Sequence, residues 1–147
     1  MSSSQDAEAD AAINLMVAAV IGTALIPAHV NWALTASAMG AGVVSIGSTY
    51  GVTLDRDEAW KLVKEFFKAA GFWFLGMQIS SKILAALIES TGLGYGGGVA
   101  LDAAVSAGLA YAIGSCAKAY FKGERNKEEL GKKFRTAFAV GKRKART

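Results

Sequence analysis

The sequence is poor in the residues on which most catalytic and metal-binding chemistry depends, with one cysteine, one histidine and one proline in 147 residues. Cys116 has no second cysteine for an intramolecular disulfide and no companions for a metal site. His29 has no carboxylate close to it in the sequence, so no acid–base pair can be assigned. No P-loop is present, and no serine or threonine has an assignable base. The sequence therefore predicts a protein that is not an enzyme and that uses no cofactor.

Charged residues are also scarce over long stretches, although they make up 19% of the chain. None occurs in the 44 residues between Asp10 and Asp55, and the 49 residues from 69 to 117 contain three. A helix in water needs a polar face, so uncharged stretches of this length favour lipid or burial on every side. The composition indicates an integral membrane protein, with a soluble helical oligomer that hides its apolar blocks in a shared core as an alternative.

What the sequence does contain is a series of apolar blocks with the length of helices, which cover residues 11–26, 30–50, 69–88 and 99–121. Pro27 ends the first block, and Gly51 is a suitable C-cap for the second. Asp55 and Glu58 have the spacing of a capping box, so we expect the third helix to begin there and to continue through its apolar half. The short connections predict an all-α fold of two antiparallel apolar hairpins, arranged as a four-helix membrane bundle.

The distribution of basic residues predicts the orientation of this bundle. If all four blocks cross the membrane, 15 of the 16 Lys and Arg residues lie on one side, and the exception is Lys82. This positive-inside pattern places both termini in the cytoplasm of a cell whose inner membrane, or an internal membrane derived from it, holds the protein. Hairpins that only dip into the bilayer give the same pattern. The predicted organisation is a polar acidic tail at 1–10, a membrane-embedded domain at 11–123 and a basic amphipathic tail, predicted to be helical, at 124–147.

Small residues recur every four positions in the second and fourth blocks. Such spacing lets helix backbones approach closely, and close contact is what holds helices together in lipid. We therefore predict helix packing and self-association, as a homo-oligomer, through two faces, which comprise Ala33, Ser37, Ala41 and Ser45 in one block and Ala100, Ala104, Gly108 and Ala112 in the other.

The C-terminal tail differs in kind from the rest of the chain. Leu130, Phe134 and Phe138 fall at helical spacing, and from Lys118 onward there are eleven basic and three acidic residues. This pattern predicts a basic amphipathic helix that binds anionic membrane lipids or a cytosolic partner. Nucleic acid is the weaker alternative, since no reader motif accompanies the charges. The residues expected to bind lipid or a partner are Lys132, Lys133, Phe134, Arg135, Phe138, Lys142, Arg143, Lys144 and Arg146.

Two ionisable residues, Lys82 and Asp102, interrupt the apolar blocks. An ionisable group inside a membrane span is costly, so it indicates either a function or a pairing. Both residues lie at a similar distance from the glycine-rich turn at 92–98, so we expect them to form an intramembrane ion pair. The functional alternative is an ion or small-solute path in a channel or transporter component.

Four short runs of the sequence are typical of one family, namely ALIP at 24–27, YG at 50–51, the glycine-rich turn at 92–98 and AKAYFKG at 117–123. From about residue 12 to residue 123 the chain resembles the YcjF-type family, domain-of-unknown-function family 697, whose members often occur fused or adjacent to GTPases. In that family the first turn usually carries a second proline, a glycine and an acidic residue, whereas Ala28, His29 and Asn31 stand here. The resemblance implies a helical, membrane-associated module that works beside a partner such as a GTPase.

Together these features predict a non-enzymatic membrane protein that self-associates and that organises or shapes a membrane, or docks a partner, through its basic tail. A channel component and a soluble oligomer remain the alternatives.

Overall fold

The computed structural model describes residues 3–24, 32–79 and 103–145, and over these ranges all the regular secondary structure is α-helical, with no strand. This confirms the all-α prediction. The helices are α1 (Ser3–Ala24), α2 (Trp32–Thr49), α3 (Arg56–Ala70), α4 (Phe72–Gln78), α5 (Ala103–Phe121) and α6 (Lys127–Ala145).

The start of α3 is the capping box predicted from the sequence. The Glu58 backbone N–H donates to Asp55 Oδ1 at 2.8 Å, and the Asp55 N–H donates to Glu58 Oε1 at 3.1 Å. The end of α3 differs from the prediction of one continuous helix, because the chain breaks at Gly71. Its φ of 95° lies in the region that favours glycine, and a new short helix, α4, follows. The break changes the direction in which the aromatic residues of α4 project.

Helices α1 and α2 run antiparallel, because the start of α1 contacts the end of α2. Gln5 Nε2 donates to the Thr49 carbonyl at 3.4 Å, and the Tyr50 hydroxyl donates to Asp6 Oδ1 at 2.7 Å. The predicted boundary at residue 10 falls inside α1, which is continuous from Ser3. The acidic N-terminal residues are therefore part of the bundle in this structure.

The most central helix is α5, which packs against α1, α2 and α6. Its glycines and alanines allow this crowding. Ile13 of α1 lies over Gly114, and Phe138 of α6 lies over Gly108. A Cβ atom at either glycine would come within 3 Å of the neighbouring side chain. Small residues on α5 are thus used for contacts inside one chain.

The basic C-terminal segment forms the last helix of the bundle and packs antiparallel on α5. The predicted amphipathic pattern is present, but its apolar face points inward. Phe134 and Phe138 are 0% and 2% exposed, and their rings meet Phe67 of α3 and Phe74 of α4 at centroid distances of 5.8 Å and 5.7 Å. In this conformation neither ring faces a headgroup layer, because the bundle already buries the surface that lipid was expected to cover.

None of the helices within the described ranges combines the length and the hydropathy required to cross a membrane. Residues 80–88 of the third predicted block and residues 99–102 of the fourth lie outside the described ranges, so the predicted second hairpin lies partly outside them.

Candidate functional site

Three large apolar side chains are exposed at the N-terminal end and along one side of α4. Trp73 is 80% exposed, Met77 is 64% exposed and Phe72 is 42% exposed. Trp73 and Met77 are one helical turn apart, so they project on the same side of α4. Solvent-exposed apolar clusters of this kind mark surfaces that contact a partner or a membrane. The sequence did not single these residues out, because the whole apolar block 69–88 was expected to lie in the membrane.

The C-terminal end of α6 brings positive charge to α4. Lys142 Nζ lies 3.5 Å from Gln78 Oε1 at the end of α4, and the exposed Arg143 follows directly. We call Phe72, Trp73, Met77, Lys142 and Arg143 the aromatic–basic end. The structure thus brings Lys142 to the end of the short helix that carries the exposed aromatic residues, although the two are far apart in the sequence.

The remaining predicted tail residues have different surroundings. Arg135 Nη1 donates to the Ala70 carbonyl at 3.0 Å, where α3 ends, so its charge helps to terminate that helix. Lys132 is exposed and pairs with Glu129 at 3.7 Å. Lys133 and Lys144 are exposed and line a groove with α1 and α5. Arg146 lies outside the described residues.

The two predicted small-residue faces differ in how exposed they are. Ala104, Gly108 and Ala112 of α5 are buried within the bundle. In α2, by contrast, Ala41 and Ser45 are exposed and Ser37 is half-buried. Ala100 and the side chain of Ala33 lie outside the described part of the chain. The α5 spacing reflects packing within the chain, whereas self-association through α2 stays a prediction.

An open groove runs between α1, α5 and α6, and we call it the lysine trough. Its central part, with a volume of about 460 Å³, is lined by Asp10, Ile13, Asn14, Tyr111, Ser115, Lys118, Ala119, Lys122, Lys133 and Lys144. Two of its lysines are held by α1, since Lys118 Nζ lies 2.7 Å from Asp10 Oδ1 and Lys122 Nζ lies 3.0 Å from Asp6 Oδ2. Equal one-turn spacings at 6 and 10 and at 118 and 122 were the signal in the sequence for these pairs.

Asp6 is the centre of the hydrogen bonds at this end of the bundle. The hydrogen bond from the Tyr50 hydroxyl, followed by that from Lys122, lowers the pKa of the Asp6 carboxyl below its usual value. Burial, together with the bond to the Asp6 carboxylate, raises the pKa of Tyr50. The pair therefore remains a neutral phenol donating to a carboxylate over the ordinary pH range.

Neither reactive nor metal-binding chemistry is evident among the described residues. Burial raises the pKa of the Cys116 thiol to about 12, and its Sγ donates to the Leu130 carbonyl at 3.4 Å. Within the described ranges no group of His, Cys, Asp and Glu side chains is arranged to hold a metal ion. Lys82 and Asp102 lie outside these ranges, so their expected ion pair, and the transport function that depends on it, stay predictions.

Comparison with known proteins identifies the family. No curated protein and no solved structure matches the chain. The family model described as a domain of unknown function, DUF697, matches residues 1–140, and these residues include all of α1 to α5 and most of α6. The match confirms the resemblance found in the sequence, and the chain therefore belongs to the DUF697 family.

Proposed function

We propose that this chain is a non-enzymatic helical protein that docks on anionic membranes through its aromatic–basic end. The observation that carries the proposal is that Lys142 contacts the end of α4, the short helix on which Trp73, Phe72 and Met77 are exposed. Tryptophan suits the boundary between headgroups and acyl chains, because its ring is apolar and its N–H is polar. Basic residues beside it add attraction to the negative surface of the cytoplasmic leaflet.

The connection between α4 and α5 supports the same orientation. The chain leaves α4 at Ile79, close to the end of α6, and enters α5 at Ala103, where α5 lies alongside the end of the same helix. The intervening sequence, 80–102, contains the apolar run 83–88. This apolar run, which follows the exposed aromatic residues in the sequence, and the basic residues at the end of α6 supply the two kinds of signal that stable membrane attachment requires.

The proposal can be tested by co-flotation of the full chain with vesicles of neutral lipid and with vesicles containing anionic lipid. We expect binding to the anionic vesicles that decreases when salt is added. Trp73→Ala should weaken this binding by about tenfold, because the variant lacks the aromatic ring that becomes buried in the lipid when the protein binds. Arg143→Gln should weaken it by about fivefold, which corresponds to about 1 kcal/mol for one basic residue near the surface.

Leu15 provides the matched control, because it is 72% exposed on α1, a helix that does not contribute to the aromatic–basic end. Leu15→Ala should leave vesicle binding unchanged. Equal binding of the parent chain to neutral and anionic vesicles, or equal losses for Leu15→Ala and Trp73→Ala, would contradict the proposal.

A further inference from the structure

The lysine trough is longer than a site for a small anion. Its central part shares Tyr111, Ser115, Lys122 and Lys133 with two neighbouring depressions along the seam between α5 and α6. One depression extends to Val140 and the other to Glu124. The result is a continuous groove with polar and apolar walls that follows two helices.

Positive charge dominates this groove. Lysines at 118, 122, 132, 133 and 144 line it, against carboxylates at 10, 124 and 129. Lys118, Lys122 and Lys132 are paired with carboxylates. Within the described ranges Lys133 forms no ion pair or hydrogen bond, so the groove offers a cation that has not been neutralised.

On α6 the trough presents a stripe along one side of the helix. Lys133, Ala137, Val140 and Lys144 follow one another at intervals of three or four residues, so they lie on one face. The two lysines are separated by about 16 Å along the helix axis, and between them lie the half-buried Val140 and the buried Ala137. This pattern of charge, apolar surface and charge fits an amphipathic helix of about three turns.

The molecule itself contains an example of the same kind of docking. Asp10 and Asp6 of α1, one turn apart, pair with Lys118 of α5 and with Lys122, the residue directly after α5. An acidic helix therefore already lies along one wall of the trough and uses its lysines in pairs. The open part of the trough also presents lysine side chains, and none of the described helices covers it.

We infer that the lysine trough binds an acidic amphipathic helix of a partner protein. Carboxylates of that helix pair with Lys133 and with Lys144, whose Nζ lies 5.4 Å from the centroid of the Tyr111 ring, and its small apolar residues pack on Val140. The trough residues and the residues that contact α4, Phe138 and Lys142, lie on roughly opposite sides of α6. The inference thus deepens the proposed function, because a protein docked at its aromatic–basic end keeps the trough accessible to a partner.

The experiment measures fluorescence anisotropy of a labelled synthetic helix of about 18 residues with the full chain, in the absence of vesicles. The probe carries glutamates about three turns apart on one face, with alanine and leucine between them, and the comparison peptide carries glutamine in their place. The glutamate peptide should bind at least about tenfold more tightly than the glutamine peptide at low salt. Lys133→Glu should weaken binding of the glutamate peptide by about tenfold, because one attraction becomes a repulsion.

Lys61→Glu is the matched control, since Lys61 is exposed on α3, lines no part of the trough and undergoes the same charge change. It should leave peptide affinity within about twofold of the parent. Equal losses for Lys61→Glu and Lys133→Glu, or equal binding of the two peptides, would overturn the inference. So would a Lys133→Glu chain that loses vesicle binding while its peptide binding is unchanged, because the trough would then be a lipid surface. Failure of vesicle binding with intact peptide binding overturns the membrane proposal alone.

Discussion

At the scale of single residues, the hydrogen bond between Tyr50 and Asp6 joins the two open ends of the first hairpin. Its oxygen–oxygen distance is 2.7 Å, and the same carboxylate accepts a hydrogen bond from Lys122 Nζ, directly after α5. Three helical segments are therefore linked through one side chain that sequence analysis assigned to a separate acidic tail. The sequence showed the charge of Asp6, but the partners are more than 40 residues away, so local periodicity had no means of identifying them.

Tyr50→Phe removes this bond without removing the ring, so we expect lower thermal stability at pH 7. Because the pKa of Asp6 is lowered in the folded state, its contribution is present above the ordinary aspartate pKa of about 3.9 and is lost as the pH falls through the folded value. The difference in melting temperature between Tyr50→Phe and the parent protein should therefore be smaller at about pH 2 than at pH 7. Circular dichroism melts at both pH values measure it.

Tyr111→Phe is the control, because the Tyr111 hydroxyl forms no hydrogen bond within the described part of the chain. A Tyr50→Phe melting temperature equal to that of Tyr111→Phe at pH 7 would show that the Asp6 bond adds nothing to stability.

At the scale of helices, α6 approaches the backbone of α5 closely at Gly141. A Cβ atom at Gly141 would lie 2.6 Å from the Ala107 carbonyl oxygen and 2.8 Å from Gly108 Cα, and neither backbone atom can move without shifting a helix. Gly22 of α1, by contrast, has no heavy atom within 4 Å of the equivalent position. The two glycines thus serve as a matched pair, one at a tight contact and one on an open surface.

Gly141→Ala should destabilise the protein by roughly 1–3 kcal/mol, as overpacking does in a core. Gly22→Ala should be neutral or stabilising by up to about 1 kcal/mol, because alanine is the better helix former. Urea unfolding followed by circular dichroism measures both. If Gly141→Ala proved as harmless as Gly22→Ala, α6 would not be packed against α5 as the structure has it.

Helix positions were largely predictable from the sequence, whereas helix partners were not. The capping box at Asp55 and the amphipathic pattern of α6 are local signals, and the structure contains both. Periodicity shows that Phe134 and Phe138 share a face, but it does not say whether lipid or protein covers that face. The aromatic–basic end was unpredictable for a related reason, because it depends on a contact between Gln78 and Lys142, which are 64 positions apart in the sequence, and on a helix break at Gly71.

At the scale of the whole molecule, membrane docking can occur in two ways. Either the bundle docks as it stands, or α6 leaves α5 and lies on the lipid with Phe134 and Phe138 in the headgroups. Cys116 distinguishes them, because it is fully buried beneath α6 and contacts the Leu130 carbonyl. Departure of α6 would expose the thiol and return its pKa towards the usual value of about 8.5.

We expect docking of the intact bundle, so thiol labelling of Cys116 at about pH 8 should be slow and should change by less than about twofold when anionic vesicles are added. Labelling in denaturant gives the rate for the exposed thiol. A rise towards that rate on vesicle addition would instead show that α6 opens onto the membrane. Leu130→Ala, which loosens the cover over Cys116, should raise the basal rate and confirm that the assay detects exposure.

The paired carboxylates and lysines of α1 and α5 also determine where along its length one helix sits on the other. Sliding α1 by one turn would place Asp10 opposite Lys122, so Asp6 would lose Lys122 and Lys118 would lose Asp10. The same shift would move Ile13 away from Gly114. Both helices are otherwise rich in interchangeable alanines, which fit one another at many offsets. The ion pairs and the packing of Ile13 on Gly114 are satisfied together at only one offset of α1 along α5. These two contacts therefore select one alignment for a helix pair whose alanines would fit at several.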